Sequence, residues 1–284
     1  MAHTYCGIRY SIFDPTGNIT ALVESPVEVC DQPAAAARIM ELRREVEQVG
    51  FVKFSDGGQD DVRAELRMAG GEFCGNAAMS AAALYAIRSS SDAGTGRDSV
   101  RLRVSGTDGP VMVCLERESE VSFRTQIRMP SAMEIGETEF EWGETSESLP
   151  VVRMEGISHI IIEPDKSFFR LLSSRDQAEN LIRVWCRNLS AGCLGLMFLQ
   201  PVRTGEYALT PLVYASGCGT VFWENSCASG SSAAGMYLSS QKKSPVSLTL
   251  REPGGILSVD SSFPDGETFL RGRACLAGSF ELPG

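Results

Sequence analysis

Positive charge is scarce in this chain. Its 284 residues hold 26 Lys and Arg against 36 Asp and Glu, a formal net charge of −10. Nucleic-acid binding rests on clustered Lys and Arg, so no nucleic-acid partner is expected and the partner should be a small molecule. Histidine occurs only at His3 and His159. The nine cysteines, at positions 6, 30, 74, 114, 186, 193, 218, 227 and 275, are odd in number and lack paired CxxC spacing. That excludes a disulfide framework, and a zinc site would need scattered thiols for most of its ligands, so no metal is expected. Lysine occurs only at Lys53, Lys166, Lys242 and Lys243, none in a phosphate-cradling glycine motif, which disfavours a Schiff-base cofactor; no cofactor is expected. No run of about 18 apolar residues is present, and the N-terminus lacks the apolar core of a signal peptide. No membrane partner is expected, and the expected location is the cytoplasm.

Against these absences stands one unusual arrangement, present twice. Gly71-Glu72-Phe73-Cys74-Gly75-Asn76-Ala77-Ala78 is echoed by Glu224-Asn225-Ser226-Cys227-Ala228-Ser229-Gly230-Ser231. In each, a cysteine precedes a run of small residues that reads as a helix start. Such a start collects anions and lowers a thiol pKa.

The surrounding elements also recur. Ile8–Phe13 and Ile19–Val23 read as strands about an Asp14–Asn18 turn. Pro33–Gln48 has helical spacing, Gly50–Phe54 and Val62–Met68 read as strands, and Asp56–Asp61 as a polar turn. The Cys74 helix runs to about Ile87, followed by a linker at 89–98 and a hairpin of Ser99–Val104 and Val111–Leu115. In the other half, Gly156–Ile162 echoes Gly17–Val23, and Arg175–Leu189 stands where Pro33–Gln48 stood. The Cys227 helix leads into strands Val246–Leu250 and Ile256–Val259 about a Pro253-Gly254-Gly255 turn. A list that repeats in one order implies duplicated units. The expected fold class is α+β in two similar domains, residues 1–130 and 131–269, with a strand near 270–284 returning to the first. The acidic stretch Met133–Leu149 is the expected crossing.

Cys6, Cys114, Cys186, Cys193 and Cys275 lie in apolar patterns and are expected in the core, as free cysteine usually is. Cys74 and Cys227 differ, because they occupy matching places in the repeat beside residues that let a ligand approach the backbone. Two helix starts facing one ligand would hold a carboxylate on the dipoles and on the amides at 75, 76, 228 and 229. Those amides could share carbanion character while one thiolate removes an α-proton from one face and the opposing thiol protonates the other. Thiols at helix starts have pKa values of about 3.5 to 7.5, which suits a base near neutral pH. His159 reads equally as a satisfied histidine or as a neighbour that adjusts a thiol. Glu224 could adjust the second thiol or favour the positive helix end. Asn18 and Asn76 suit a substrate carboxylate or amine, or simply the αL geometry of a turn.

Gly17-Asn18, Glu47-Gln48-Val49-Gly50-Phe51, Glu72-Phe73-Cys74-Gly75-Asn76-Ala77, Trp223-Glu224-Asn225-Ser226-Cys227 and Pro253-Gly254-Gly255 together resemble the diaminopimelate epimerase superfamily, across nearly the whole chain. Within it the likeness is to histidine racemases of staphylopine-type metallophore biosynthesis. The resemblance implies two pseudo-symmetric diaminopimelate-epimerase-like domains, each a curved, mostly antiparallel sheet around a central helix, with the active site in the cleft between them. It implies Cys74 and Cys227 as catalytic acid/bases, His159 and Glu224 as groups that tune them, and Asn18, Gln48, Gly75, Asn76, Ala228 and Ser229 near the substrate. It implies a racemase without cofactor that acts on L-histidine. Diaminopimelate epimerase or another amino-acid racemase is the alternative; a non-racemising isomerase or binding protein of the same fold ranks below. Where diaminopimelate epimerases hold the remote end of their substrate with polar groups, this chain carries Ile157, a residue near Leu194, and Asn225. A second zwitterion would be left unpaired there. Dimers are common in the superfamily, so a homodimer is a further expectation.

Overall fold

In the computed structural model, residues 7–55, 61–89, 97–217 and 219–283 are described. Two compact units are formed, Met1–Arg128 with Arg271–Gly284, and Met129–Leu270. Cys6, most of the expected Asp56–Asp61 turn and most of the 89–98 linker lie outside the described residues.

The first unit contains β1 (Arg9–Asp14), β2 (Thr20–Val23), α1 (Gln32–Leu42), β3 (Gln48–Phe54), β4 (Ala64–Met68), α2 (Gly75–Arg88), β5 (Arg97–Val104), β6 (Val111–Arg117) and β7 (Ser122–Met129). The second contains β8 (Glu134–Trp142), β9 (Thr145–Met154), β10 (Ile157–Ile162), a 3₁₀ turn (Ser167–Ser173), α3 (Arg175–Asn188), β11 (Cys193–Arg203), β12 (Glu206–Ala215), β13 (Thr220–Trp223), α4 (Ala228–Lys242), β14 (Val246–Glu252) and β15 (Gly255–Ser261). A last strand, β16 (Thr268–Glu281), carries the chain from the second unit into the first.

Strands of the first unit follow the order β1-β2-β3-β4-β5-β6-β7-β16, and β16 pairs back to β1, closing a ring. Inside lies α2, whose residues Ala77 to Leu84 are all completely buried. A helix apolar on every side can only sit in an interior. Its small side chains are what an eight-stranded ring, whose bore is narrow, has room for. The second unit has β15-β14-β12-β11-β10-β9-β8, with β13 paired to β12. There α4 packs on β9, β10, β11, β14 and β15, and its Gly235 fits where an added Cβ would come within 2.4 Å of Val259 Cγ1. The two units repeat one succession of pairings. β1–β2 and β9–β10 are antiparallel, β2–β3 and β10–β11 parallel, β3–β4 and β11–β12 antiparallel, β4–β5 and β12–β14 parallel, β5–β6 and β14–β15 antiparallel.

Outer helices cover the other face of each sheet. α1 buries Ala35, Ala36 and Ile39 against β1, β2 and β3. α3 buries Ala178, Ile182, Trp185 and Cys186, one stripe at helical spacing, in a cluster with Phe140, Phe168 and Phe198.

Several expectations are corrected. The helix expected over Pro33–Gln48 ends at Leu42, because Thr20–Val23 takes Gln48–Phe51 as its parallel partner and the Glu47 amide already donates to Ile19 O. The acidic stretch Met133–Leu149 is no crossing. Most of it forms the antiparallel hairpin β8–β9, where Glu137, Glu139 and Glu141 point outward in a period of two while Phe140 and Leu149 point inward; the chain passes between units at 128–129. Cys186 is buried as expected, whereas Cys114 is exposed and Cys193 and Cys275 are half-buried. Cys114 falls on the outward phase of β6, between buried Val113 and Leu115.

Candidate active site

Cys74 and Cys227 occupy the same local position in their units. Each is the N-cap of a buried helix, with φ −131° and ψ 112° at Cys74 and φ −125° and ψ 103° at Cys227. Each sulfur accepts the amide three residues on, Ala77 N–H at 3.4 Å and Gly230 N–H at 3.4 Å. Serine, threonine and aspartate usually fill this role with oxygen. A sulfur in their place puts a nucleophilic, ionisable atom on the helix axis.

In the first unit the Cys74 thiol donates to Gln48 Oε1 at 3.1 Å. Gln48 Nε2 in turn donates to Asn18 Oδ1 and, at 2.7 Å, to Thr20 Oγ1, and Asn18 Nδ2 donates to Glu47 Oε2 at 3.0 Å. Register explains the meeting: Thr20 stands opposite Gln48 where β2 and β3 run parallel. The approach to Cys74 is held from the turn after β5, where Ser105 Oγ donates to Glu72 O at 2.8 Å. Beyond it Gly106, at φ +75°, leaves only 2.3 Å between its ideal Cβ position and Phe73 N, so a side chain there would displace the residue before Cys74. Gly75 and Asn76 are buried in the first turn of α2.

In the second unit Cys227 is 5% exposed, and the helix-start expectation of a lowered thiol pKa is overturned. Burial first, then the charges of Glu224 and Glu252 and a hydrogen bond to Glu224, push this thiol well above its ordinary value, against a smaller opposing pull from Ser229. Ser229 Oγ lies 3.6 Å from the sulfur. Desolvation of the charged form outweighs the helix end, so Cys227 is held as the thiol. Ala228 is buried and Ser229 half-buried. Glu224 thus lies within hydrogen-bonding reach of the Cys227 thiol.

His159 is fully buried on β10, between Val152 of β9 and Gly195 of β11. Neither ring nitrogen has a hydrogen-bond partner among the described residues. Burial pushes its pKa down to about 3, so the ring is neutral. An ideal Cβ on Gly195 would lie 2.4 Å from His159 Nδ1 and 2.7 Å from Met197 Cε, and one on Gly230 2.2 Å from Met197 Sδ. The imidazole fills the space that Gly195 leaves, with Met197 reaching on to the first turn of α4. In the repeated pairing, His159–Gly195 stands where Thr20–Gln48 stands in the first unit.

Sequence reading missed Thr20, Glu47, Ser231 and Glu252. Glu252 had a signal: Val246, Leu248, Leu250 and Glu252 share one phase of a strand, so a carboxylate falls on its buried side. Among the described residues, no group of three or more His, Cys, Asp or Glu could hold a metal ion, and no helix is long and apolar enough to cross a membrane.

The family model described as the histidine racemase CntK N-terminal domain matches residues 7–269. A histidine racemase of Fusobacterium nucleatum subsp. nucleatum is 29% identical over 262 residues, covering 89% of this chain and 90% of that protein. One from Staphylococcus aureus is 28% identical over 258 residues, covering 89% and 88%. The crystal structure of a probable proline racemase from Agrobacterium radiobacter with bound carbonate superposes with a TM-score of 0.73 at 12% identity, over 97% of this chain and 92% of that one. This last likeness establishes a mixed α/β fold dominated by sheet.

Proposed function

We propose that this chain, which belongs to the histidine racemase family, interconverts L- and D-histidine without a cofactor, using Cys74 and Cys227 as a pair of acid/bases. It is an isomerase of the racemase class. The observation that carries the two-cysteine reading is the doubled N-cap: two sulfurs, one per unit, each accepting the third amide of a buried helix. The repeated order of strand pairings supports the finer fold reading, a pseudo-symmetric pair of diaminopimelate-epimerase-like halves.

The chemistry asks for an α C–H bond to break on one face and form on the other. In one direction Cys74, as thiolate, takes the α-proton while Cys227, whose environment keeps it protonated, delivers its own to the opposite face. Afterwards Cys74 is the thiol and Cys227 the thiolate, the form the reverse direction needs. Gln48 orients the Cys74 sulfur, and Glu224, which accepts a hydrogen bond from the Cys227 thiol, orients that sulfur and favours its protonated form. The substrate carboxylate belongs at the helix starts, where amides and dipoles stabilise anionic charge and share carbanion character as it develops. Fully buried Leu194 and half-buried Ile157 favour a substrate with a single zwitterionic end over diaminopimelate.

Chiral chromatography of L-histidine, L-proline and LL-diaminopimelate, each incubated with reduced protein and no added cofactor, tests this reading. D-Histidine should accumulate to a 1:1 mixture and the other two should stay unchanged. Faster turnover of diaminopimelate than of histidine would refute the substrate, and retention of near-normal rates in Cys74→Ser or Cys227→Ser would remove that sulfur from the mechanism.

A further inference from the structure

Glu252 enters the reading above only as a charge near Cys227, yet it touches the cysteine cap directly. On β14 its neighbour Arg251 faces the other way, paired with Glu206, while Glu252 points inward and is 7% exposed. One carboxyl oxygen accepts the Cys227 backbone N–H at 2.7 Å, and the other accepts the Ser231 hydroxyl, one turn along α4. The strand is thereby fastened to the residue whose sulfur caps the helix, and Gly254 N donating to Asn225 O at 2.8 Å fastens the preceding loop to the same strand end. The ionisable groups that bear on Glu252 are Glu224, in the loop before α4, and Cys227 itself.

We propose that Glu252 is a positioning residue for Cys227, clamping the N-cap through its amide and, by gaining or losing its own proton, governing how readily the thiol ionises. The proposal deepens the two-cysteine reading and rests on it for its catalytic meaning. Burial pushes the Glu252 carboxyl up to about 8, with Glu224 adding to the rise and Ser231 and the Cys227 amide opposing it. Below that pH the carboxyl is neutral; above it a second negative charge beside Glu224 bears on the sulfur. Rising pH, which ordinarily produces thiolate, is therefore opposed at Cys227.

The test is the rate at which iodoacetamide alkylates Cys227 in the whole folded protein, read by peptide mass spectrometry from about pH 6 to 10, with the Cys74 peptide as internal reference. Glu252→Gln can still accept from the Cys227 amide through its oxygen while its NH2 donates to the Ser231 hydroxyl, the arrangement open to the neutral acid. It should match the wild type below about pH 7 and react about tenfold faster near pH 9, a shift of about one pKa unit for removal of one adjacent charge. Cys74 should be unaffected. Superimposable Cys227 profiles would overturn the proposal, leaving Glu252 a purely structural group that moves only the unfolding midpoint. Should Glu252→Gln not fold, Ser231→Ala retains the carboxyl but removes a bond that favours its ionised form. Its Cys227 rate near pH 8.5 should then rise about threefold, and an unchanged rate overturns the proposal equally. Alkylation does not depend on turnover, so a protein that racemises nothing would refute the racemase mechanism without altering this result.

Discussion

A histidine sealed in a core, with no hydrogen-bond partner among the described residues, should refuse a proton until strongly acid pH, and His159 offers a clean place to measure it. Its pKa is pushed from 6.5 to about 3 by burial. Between those values the unfolded chain binds a proton that the folded chain does not. Stability from this group is therefore complete above about pH 6.5, falls as pH drops through the interval, and stops falling below about 3. The limiting slope is about 1.4 kcal/mol per pH unit. The loss is about 2 kcal/mol between pH 7.5 and 5, and between 4 and 5 kcal/mol at full protonation. The chain has only two histidines, so His3→Gln leaves a single imidazole to follow by proton NMR, and its Cε1 proton should hold its shift down to about pH 4. Urea unfolding of wild type and His159→Phe should then give a stability difference that changes by about 2 kcal/mol between pH 7.5 and 5, in favour of the variant at acid pH. An imidazole titrating near pH 6, or a pH-independent difference, would refute the reasoning.

Other substitutions test the scaffold around the two sulfurs. Gly106→Ala forces an L side chain into φ +75° and against Phe73 N; it should cost about 2 kcal/mol or more in urea unfolding and slow alkylation of Cys74 relative to Cys227. Gly235→Ala gains about 1 kcal/mol of helix propensity. It meets Val259 Cγ1 at 2.4 Å, an overpacking cost of about 1 to 3 kcal/mol, so a net loss of stability is expected; a raised unfolding midpoint would contradict it. Gln48→Leu keeps the side chain's bulk but removes both its acceptor for the Cys74 thiol and its donors to Asn18 and Thr20. Racemisation kcat should fall about tenfold or more with little change in unfolding midpoint, and an unaltered kcat would argue that the Cys74–Asn18 network is incidental.

Where local chemistry dominated, the sequence was a good guide. Cys74 and Cys227 before small-residue runs announced helix starts, and the helix after Cys74 was read to about Ile87, close to its observed end at Arg88. The duplicated order of elements was visible because each turn, strand and helix carries its own signal. Missed features depend on partners far along the chain. Gln48 reads as helical until Thr20 claims it for a parallel pairing. Glu-rich β8 reads as a crossing because carboxylates are poor strand formers, and only the inward phase holding Phe140 reveals the hairpin. Helix-start logic also misjudged Cys227. Its ionisation is ruled by burial and by two carboxylates, and one of these, Glu252, arrives from a strand 25 residues away.

Isotope tracking of L-histidine turned over in deuterium oxide, with both enantiomers recovered at low conversion, bears most directly on two sulfurs working opposite faces of one carbon. The first D-histidine formed should carry solvent deuterium at the α-carbon while the remaining L-histidine keeps its protium, because the base that removes a proton is not the acid that returns one. Deuterium appearing equally early in recovered L-histidine, or D-histidine that retains the substrate's protium, would contradict the two-cysteine account.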